Sequence, residues 1–268
     1  MNTRSSIMPI IFVVMVSYFE LDADKQIYFA SDLHLGAPNH AESLKRERLF
    51  CNWLDKISSD AQVLYIVGDL FDFWFEYKHA IPKGFVRILG KLAEMSDSGI
   101  KLYFFPGNHD LWVREYLSEE IGFEVCHEPV IHSWNSHRFY IGHGDGLGPG
   151  DNGYKILKKV FLFKPFQWAY RLIHPDLGIG LASWLSKNSR ARTGGKDIIP
   201  LPKEEELLYQ YASIKSEEFE IDTWVFGHRH LPMVEELPNG KQFINLGDWI
   251  THNTWASFSE KKGVILHR

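Results

Sequence analysis

The run QIYFAS over Gln26–Ser31 leads straight into Asp32-Leu33-His34, and the reading of that join decides the fold. A short apolar run that stops at polar residues reads as a buried strand ending in a loop. The same grammar recurs along the chain. Val63–Val67 runs into Gly68-Asp69, and Lys101–Phe105 runs into Pro106-Gly107-Asn108-His109-Asp110. Arg138–Ile141 runs into Gly142-His143-Gly144-Asp145, and Thr223–Phe226 into Gly227-His228-Arg229-His230. Between the first three runs lie segments with helical spacing, Glu42–Ile57 and Phe85–Ser96. The order strand–helix–strand–helix–strand predicts an α/β sheet. In open α/β sheets ligands gather beyond the carboxyl ends of the strands, which is where each polar cluster falls. Farther on, Leu237-Pro238-Asn239-Gly240 separates Met233–Glu236 from Gln242–Asn245, a hairpin signal. A mixed sheet or a pair of sheets follows.

Taken singly, each cluster has a structural reading. Gly68-Asp69 is an ordinary turn, Asn108 and Asp110 cap a following helix, and His228 and His230 are satisfied histidines. Taken together they place carboxylates (Asp32, Asp69), an amide oxygen (Asn108) and imidazoles (His34, His143, His228, His230) at one sheet edge. That mixture of hard oxygen and borderline nitrogen suits Mn²⁺, Fe²⁺ or Zn²⁺ rather than a thiolate site. Seven candidates exceed the needs of one ion and match two ions sharing a bridging carboxylate. A pair of ions about 3.5–4 Å apart activates water and neutralises a phosphoryl group under attack.

Composition narrows the class. The 268 residues are 45% apolar and 24% charged, which excludes disorder and fibrous repeats. The net charge of −5 excludes the overall basic field of a nucleic-acid binder. The two cysteines, Cys51 and Cys126, make no disulfide framework, so a reducing, cytoplasmic compartment fits best. One stretch breaks the average. Asn152–Lys203 carries ten Lys or Arg against Asp176 and Asp197. It also holds Tyr154, Phe161, Phe163, Phe166, Trp168, Tyr170 and Trp184. The stretch reads as two or three short helices broken at Pro165 and at His174-Pro175. One reading is a lid over an anionic, lipid-like ligand or a membrane-surface element; the other is a helical subdomain with a solvated basic face.

The ordered motifs Asp32-x-His34, Gly68-Asp69-x-x-Asp72, Gly107-Asn108-His109-Asp110, Gly142-His143 and Gly227-His228-x-His230 resemble those of the calcineurin-like metallophosphoesterases. The resemblance covers about residues 26 to 250. It implies a four-layer α/β/β/α sandwich, two packed sheets flanked by helices, with a helical lid inserted at about 152–203. It implies that Asp32, His34 and His230 hold one divalent ion, that Asn108, His143 and His228 hold the other, and that Asp69 bridges them. Manganese comes first, with iron or zinc compatible. It makes His109 the catalytic histidine, over the phosphoryl group and off the metals. Asp110 is then placed to orient His109 or cap the next helix, and Asp72 to orient a ligand.

Within that superfamily the chain is similar to the UDP-2,3-diacylglucosamine diphosphatases of lipid A synthesis. The local evidence is Gly68-Asp69-Leu70-Phe71-Asp72-Phe73-Trp74, His143-Gly144-Asp145-Gly146-Leu147 with Asp151 and Tyr154 downstream, and Ser186-Lys187-Asn188-Ser189. The resemblance implies hydrolysis of the pyrophosphate to UMP and 2,3-diacylglucosamine 1-phosphate on the cytoplasmic face of the inner membrane. It also implies substrate contacts at Trp74, Asp151, Tyr154, Ser189 and Lys196. One position departs, since His109 stands where many members of that group carry Arg. Two alternatives keep the fold: a phosphoesterase for another phosphodiester or phosphomonoester, and a catalytically silent protein-binding module. Residues 1–24 read as an N-terminal extension before a domain over 25–268. Within them IMPIIFVVMVSYF (7–19) admits an upstream extension or a mis-chosen start (Met8 and Met15 are alternatives), a helix or strand packed on the body or the membrane surface, or a secretory signal.

Overall fold

The computed structural model describes residues 16–150, 152–193 and 199–268, apart from the side chains of residues 183, 187 and 189–193. Twelve strands form two six-stranded sheets among the described residues. The first sheet to read is built on β2 (Gln26–Ala30), β3 (Ala61–Val67), β4 (Lys101–Phe105) and the short β5 (Phe123–Val125), all parallel. Two antiparallel strands, β11 (Trp255–Ser259) and β12 (Gly263–His267), extend it beyond β2. The second sheet runs β1 (Val16–Phe19), β6 (Val130–Trp134), β7 (His137–Gly142), β8 (Thr223–Phe226), β10 (Gln242–Leu246) and β9 (Pro232–Glu236). The pair of sheets, one of the two outcomes left open above, is the one observed.

Alternation along the strands sets the layers, because successive side chains leave a strand on opposite faces. Phe29, Tyr65, Val67 and Phe105 face inward and meet Phe139, Ile141, Val225 and Ile244 of the other sheet. Tyr28, Leu64, Ile66 and Phe104 face outward onto α1 (His40–Ile57) and α2 (Val86–Asp97) through Phe50, Trp53, Leu54, Ile88 and Leu92. On the far side Tyr140, Trp224, Phe226 and Phe243 take Leu208, Tyr209 and Ala212 of α6 (Leu207–Lys215). The order of layers is therefore helix, sheet, sheet, helix.

Capping explains where the two large helices begin. Asn39 Oδ1 accepts the Glu42 amide at 3.0 Å and starts α1 two residues earlier than the periodicity suggested. Helix α2 has no side-chain cap of its own, and its preceding residue Phe85 is left-handed at φ 59°. Glu47 of α1 replaces the missing cap, its Oε1 accepting from the amides of Arg87 and Ile88 at 3.1 and 3.2 Å.

The insertion is three helices, α3 (Asn152–Leu162), α4 (Lys164–Arg171) and α5 (Pro175–Thr193). Pro165 lies in the first turn of α4 and Pro175 opens α5, so both proline breaks fall at helix starts. Contacts between the insertion and the body include Trp112 Nε1 donating to the Phe161 carbonyl, Arg171 donating to the Glu76 carbonyl, and Tyr170 packing on Phe73, Phe75 and Trp112. No helix among the described residues is long and apolar enough to cross a membrane.

One boundary moves. Val16–Phe19 is an edge strand, paired in parallel with Val130–Trp134, and Leu21 is buried. The extension expected over 1–24 thus joins the second sheet from residue 16. Of the readings weighed for 7–19, the strand packed on the body describes its last four residues, and 1–15 lie outside the described residues.

Candidate metal centre

All seven ligand candidates converge at the carboxyl ends of β2, β3, β4, β7 and β8. Asp32, His34, Asp69 and His143 are almost fully buried. His34 Nε2 and His230 Nε2 stand 3.1 Å apart, with Asp32 Oδ1 at 3.7 Å from the first and 3.4 Å from the second. On the other side Asn108 Oδ1 lies 3.0 Å from His228 Nδ1 and 3.4 Å from His143 Nε2. Asp69 Oδ2 sits between the two groups, 3.5 Å from both His34 Nε2 and His143 Nε2.

Local backbone makes this convergence possible. At Gly68 φ is +86°, and a Cβ there would lie 2.1 Å from His143 Nδ1, so only glycine lets the β3 and β7 ends approach. At Gly107 a Cβ would lie 2.2 Å from Asp69 Oδ1. Asp110 ties the same loops together. Its carboxylate accepts the amides of Gly107 at 2.7 Å, Phe71 at 3.2 Å and Asp69 at 3.3 Å. The expectation that Asp110 orients His109 or caps a helix is corrected: no helix follows it directly, and its partners are three backbone amides. Arg46, buried on α1, donates to the carbonyls of His34 and Ala37 and pins the first ligand loop.

Three histidines are backed on their outward nitrogen. His143 Nδ1 donates to the Val67 carbonyl at 2.9 Å. His34 Nδ1 faces Asp72 Oδ1, and His230 Nδ1 faces Asp248 Oδ2, each at 3.7 Å. The Val67 carbonyl fixes the His143 tautomer and turns its other ring nitrogen inward, while the two carboxylates stand at ion-pair distance from His34 and His230. Asp72 lies beside the His34 ring, where it was expected to orient a ligand. Asp248, beyond β10, was not anticipated; its own carboxylate is held by the amides of Thr251 and His252.

The electrostatics describe a site built for cations. Burial alone would push protons off His34 and His143, yet the surrounding carboxylates, Asp69 foremost, raise both to about 10. Burial opposes ionisation of Asp32 and Asp69, and the histidines overcome it and hold both carboxyls well below their ordinary range. Asp32 Oδ1 is buried with no hydrogen bond of good geometry. A buried carboxylate without compensation costs several kcal/mol, on the order of magnitude that pairing or a metal relieves. Orphaned carboxylate oxygen, inward imidazoles and an amide oxygen together fit divalent cations.

His109 lies beside this cluster. Its ring packs edge-on to His34 at 4.6 Å, and its Nδ1 donates to the Asp72 carbonyl at 3.0 Å. Nδ1 is therefore the protonated nitrogen, which leaves Nε2 for a substrate. Burial, aided by the charge of His34, lowers its pKa against the pull of Asp69.

The substrate positions divide. Trp74 is corrected: it is fully buried, stacked on Phe71 at 4.3 Å, and its indole N–H donates to Glu76. As placed it has no surface for a substrate. The Tyr154 hydroxyl donates to Asp145, whose carboxylate also pairs with Lys158 at 2.7 Å. Asp151, Lys196 and the side chain of Ser189 lie outside the described residues.

Residues 25–232 match the model of the calcineurin-like phosphoesterase family, and the chain belongs to that family. It is a metal-dependent hydrolase by that membership, with divalent ions as the cofactor class the family and the donor set imply. A UDP-2,3-diacylglucosamine hydrolase of Porphyromonas gingivalis is 37% identical over 244 residues, 86% of this chain and 93% of that one. Another protein of that name, from Shewanella baltica, is 27% identical over 234 residues, 86% of this chain and 92% of its own. The E. coli phosphoesterase Yfce, among solved structures, aligns over 90% of this chain and 96% of its own at 18% identity and a TM-score of 0.40.

Proposed function

We propose that the chain hydrolyses the pyrophosphate of UDP-2,3-diacylglucosamine, a step of lipid A biosynthesis. The products are UMP and 2,3-diacylglucosamine 1-phosphate. The observation that carries this reading is the 37% identity with a hydrolase of that name over 93% of that protein's length. Asp32, His34 and His230 would hold one divalent ion, and Asn108, His143 and His228 a second, with Asp69 between them. Manganese is the first candidate. Two ions in these positions supply positive charge to the phosphoryl group and acidify the attacking water.

The chain's own residues supply the rest. Water adds across the P–O–P bridge: one O–P bond forms, one bridging bond breaks, and the products share the water's two protons. His109 presents Nε2 to the phosphoryl oxygens, and in its protonated form gives a proton or positive charge to the leaving oxygen. Anionic phosphates at this ring favour that form. Its Nδ1 stays on the Asp72 carbonyl, so the ring does not turn during the reaction.

The lid supports a substrate with two acyl chains. Leu157, Phe163, Trp168, Leu177, Trp184 and Leu185 are all exposed large apolar residues. Each buried methylene is worth about 0.8 kcal/mol, so a few acyl carbons outweigh several screened surface charges. The same faces suit peripheral attachment to the cytoplasmic side of the inner membrane. The test is to incubate the manganese-loaded chain with UDP-2,3-diacylglucosamine and assay UMP. Cleavage of a chromogenic phosphodiester without any UMP release would leave a phosphoesterase of other specificity.

A further inference from the structure

Among the described residues, one lid side chain hydrogen-bonds with the catalytic cluster. Ser186 of α5 donates its hydroxyl to Asp72 Oδ2 at 3.2 Å, and its oxygen lies 3.4 Å from His109 Nδ1. Asp72 itself has two imidazoles to serve. Its Oδ1 is 3.7 Å from His34 Nδ1 and 3.6 Å from His109 Nδ1. A carboxylate shared in this way rotates toward whichever ring attracts it more strongly, unless its other oxygen is held. Ser186 holds that oxygen. The serine lone pair then completes the ring of acceptors around His109 Nδ1, together with the Asp72 carbonyl at 3.0 Å.

The serine comes from the part of the molecule with the least core of its own. Leu177, Leu181, Trp184 and Leu185 of α5 are exposed by 68, 45, 58 and 51%. Helix α5 is therefore seated by its contacts with the body and by whatever covers those apolar side chains.

We propose that Ser186 is a positioning residue for His109, acting through Asp72, and that it ties the seating of the lid to proton delivery at the phosphoryl group. The proposal rests on the reading of His109 given above. It gives the lid a part in turnover besides gripping acyl chains: a substrate that seats α5 also completes the hydrogen bonding of the catalytic imidazole. A serine that merely touched the headgroup would act on binding instead.

The experiment is steady-state kinetics on the full, manganese-loaded chain with UDP-2,3-diacylglucosamine, and in parallel with a chromogenic phosphodiester. The variants are Ser186→Ala, Ser186→Thr, His109→Ala and the double variant Ser186→Ala/His109→Ala. Loss of a hydrogen bond to a charged group predicts that Ser186→Ala lowers kcat about ten-fold. KM should stay within about two-fold, and Ser186→Thr, which keeps the hydroxyl, should recover most of the rate. In the His109→Ala background the serine change should have no further effect, because the group it positions is gone. A raised KM with unchanged kcat makes Ser186 a substrate contact and overturns the proposal. So does a serine effect that persists in full in the double variant. If His109→Ala leaves kcat intact, the role of His109 falls and the proposal with it. Activity on the phosphodiester alone defeats the substrate assignment and leaves the serine comparison readable on that probe.

Discussion

Asp110→Ala isolates the clip that holds two ligand loops together. The substitution strips the acceptor from three buried amides, those of Gly107, Phe71 and Asp69. A buried amide left without a partner costs about 1–3 kcal/mol. The Asp69 bond is long at 3.3 Å and adds little. Two orphaned amides then give a gross loss of roughly 4 kcal/mol at the middle of that range. A credit offsets part of it. Burial and the neighbouring Asp69 carboxylate raise the Asp110 pKa to about 7, so its ionised form is under stress in the native state. The net expectation for the metal-free protein is a loss of about 3 kcal/mol. Asp110→Asn behaves differently. Its carbonyl oxygen can keep the Gly107 and Asp69 amides, its NH₂ group faces the Phe71 amide, and the repulsion with Asp69 disappears. That variant should lose about 1 kcal/mol or less. Urea unfolding of the metal-free chains reads the stability, with an unchanged m-value as the control. Titration of Mn²⁺ reads the site, where loosened supporting contacts should weaken affinity about 10–100-fold for alanine. If alanine sits within about 0.5 kcal/mol of the native chain with metal affinity unchanged, or if asparagine proves as damaging as alanine, the clip is not what holds these loops.

Three other outcomes follow from the geometry. Glu47→Ala should destabilise by about 2–3 kcal/mol, because it removes the acceptor of the Arg87 and Ile88 amides at the start of α2, whereas Glu47→Gln should lose about half of that; equal urea midpoints for the two variants would contradict the capping role. His132 is buried, with Tyr65 donating to its Nδ1 and Trp134 donating to Tyr65, and burial lowers its pKa to about 4. The unfolded chain takes up the proton first, so stability from this group is complete above about pH 6.5 and declines toward pH 4, by about 3 kcal/mol in all. Subtracting the pH profile of His132→Gln should show that decline, and parallel profiles would refute it. Gly107→Ala would set a Cβ 2.2 Å from Asp69 Oδ1; bound manganese per chain, by elemental analysis, should fall by about half or more, consistent with displaced ligands. Undiminished metal content would mean the loop yields.

The parts of the fold that were legible are those where composition and face agree. Strands β2, β3, β4 and β8 are apolar on both faces because both are covered, so their runs end abruptly at the polar ligands. Strand β6 was missed because it buries His132 and Ser133, which read as polar. Strands β1, β5 and β12 are short edges, and α6 presents only Leu208, Tyr209 and Ala212 to its sheet. The seven ligand candidates were legible because each follows a strand directly. Asp248 and Arg46 were not, since they reach the site from distant elements that carry no local signature; Ser186 stood in a quoted motif, but nothing local ties it to Asp72 across 114 residues. Trp74 was misplaced for a related reason. A tryptophan beside a ligand motif reads as a substrate contact, but Glu76 two residues later captures its N–H and the ring turns into the core.

The backbone at the ligands sets the centre apart from the insertion. Asp32, His34, Asp69 and His228 all adopt left-handed φ, at 56°, 45°, 53° and 67°. Outside glycine that conformation costs about 1–2 kcal/mol per residue, so it persists only where other contacts over-determine it. Here they do. The amides of Asp32 and His34 donate to the Gly68 and Asp69 carbonyls, the Trp249 amide donates to the Asp32 carbonyl, and the His228 amide donates to Asp32 Oδ2. Each strained residue is thereby bonded to another residue of the centre or to its immediate neighbour. Releasing one loosens the next, which makes the centre a single rigid unit anchored in two sheets. The lid has the opposite construction: among its described residues, Tyr170 is the one large apolar side chain that is buried. The geometry of the ligand cluster is therefore a property of the body, and the insertion, with little core of its own, takes its place from its contacts with that body. Ser186 and Asp72 lie where the two meet.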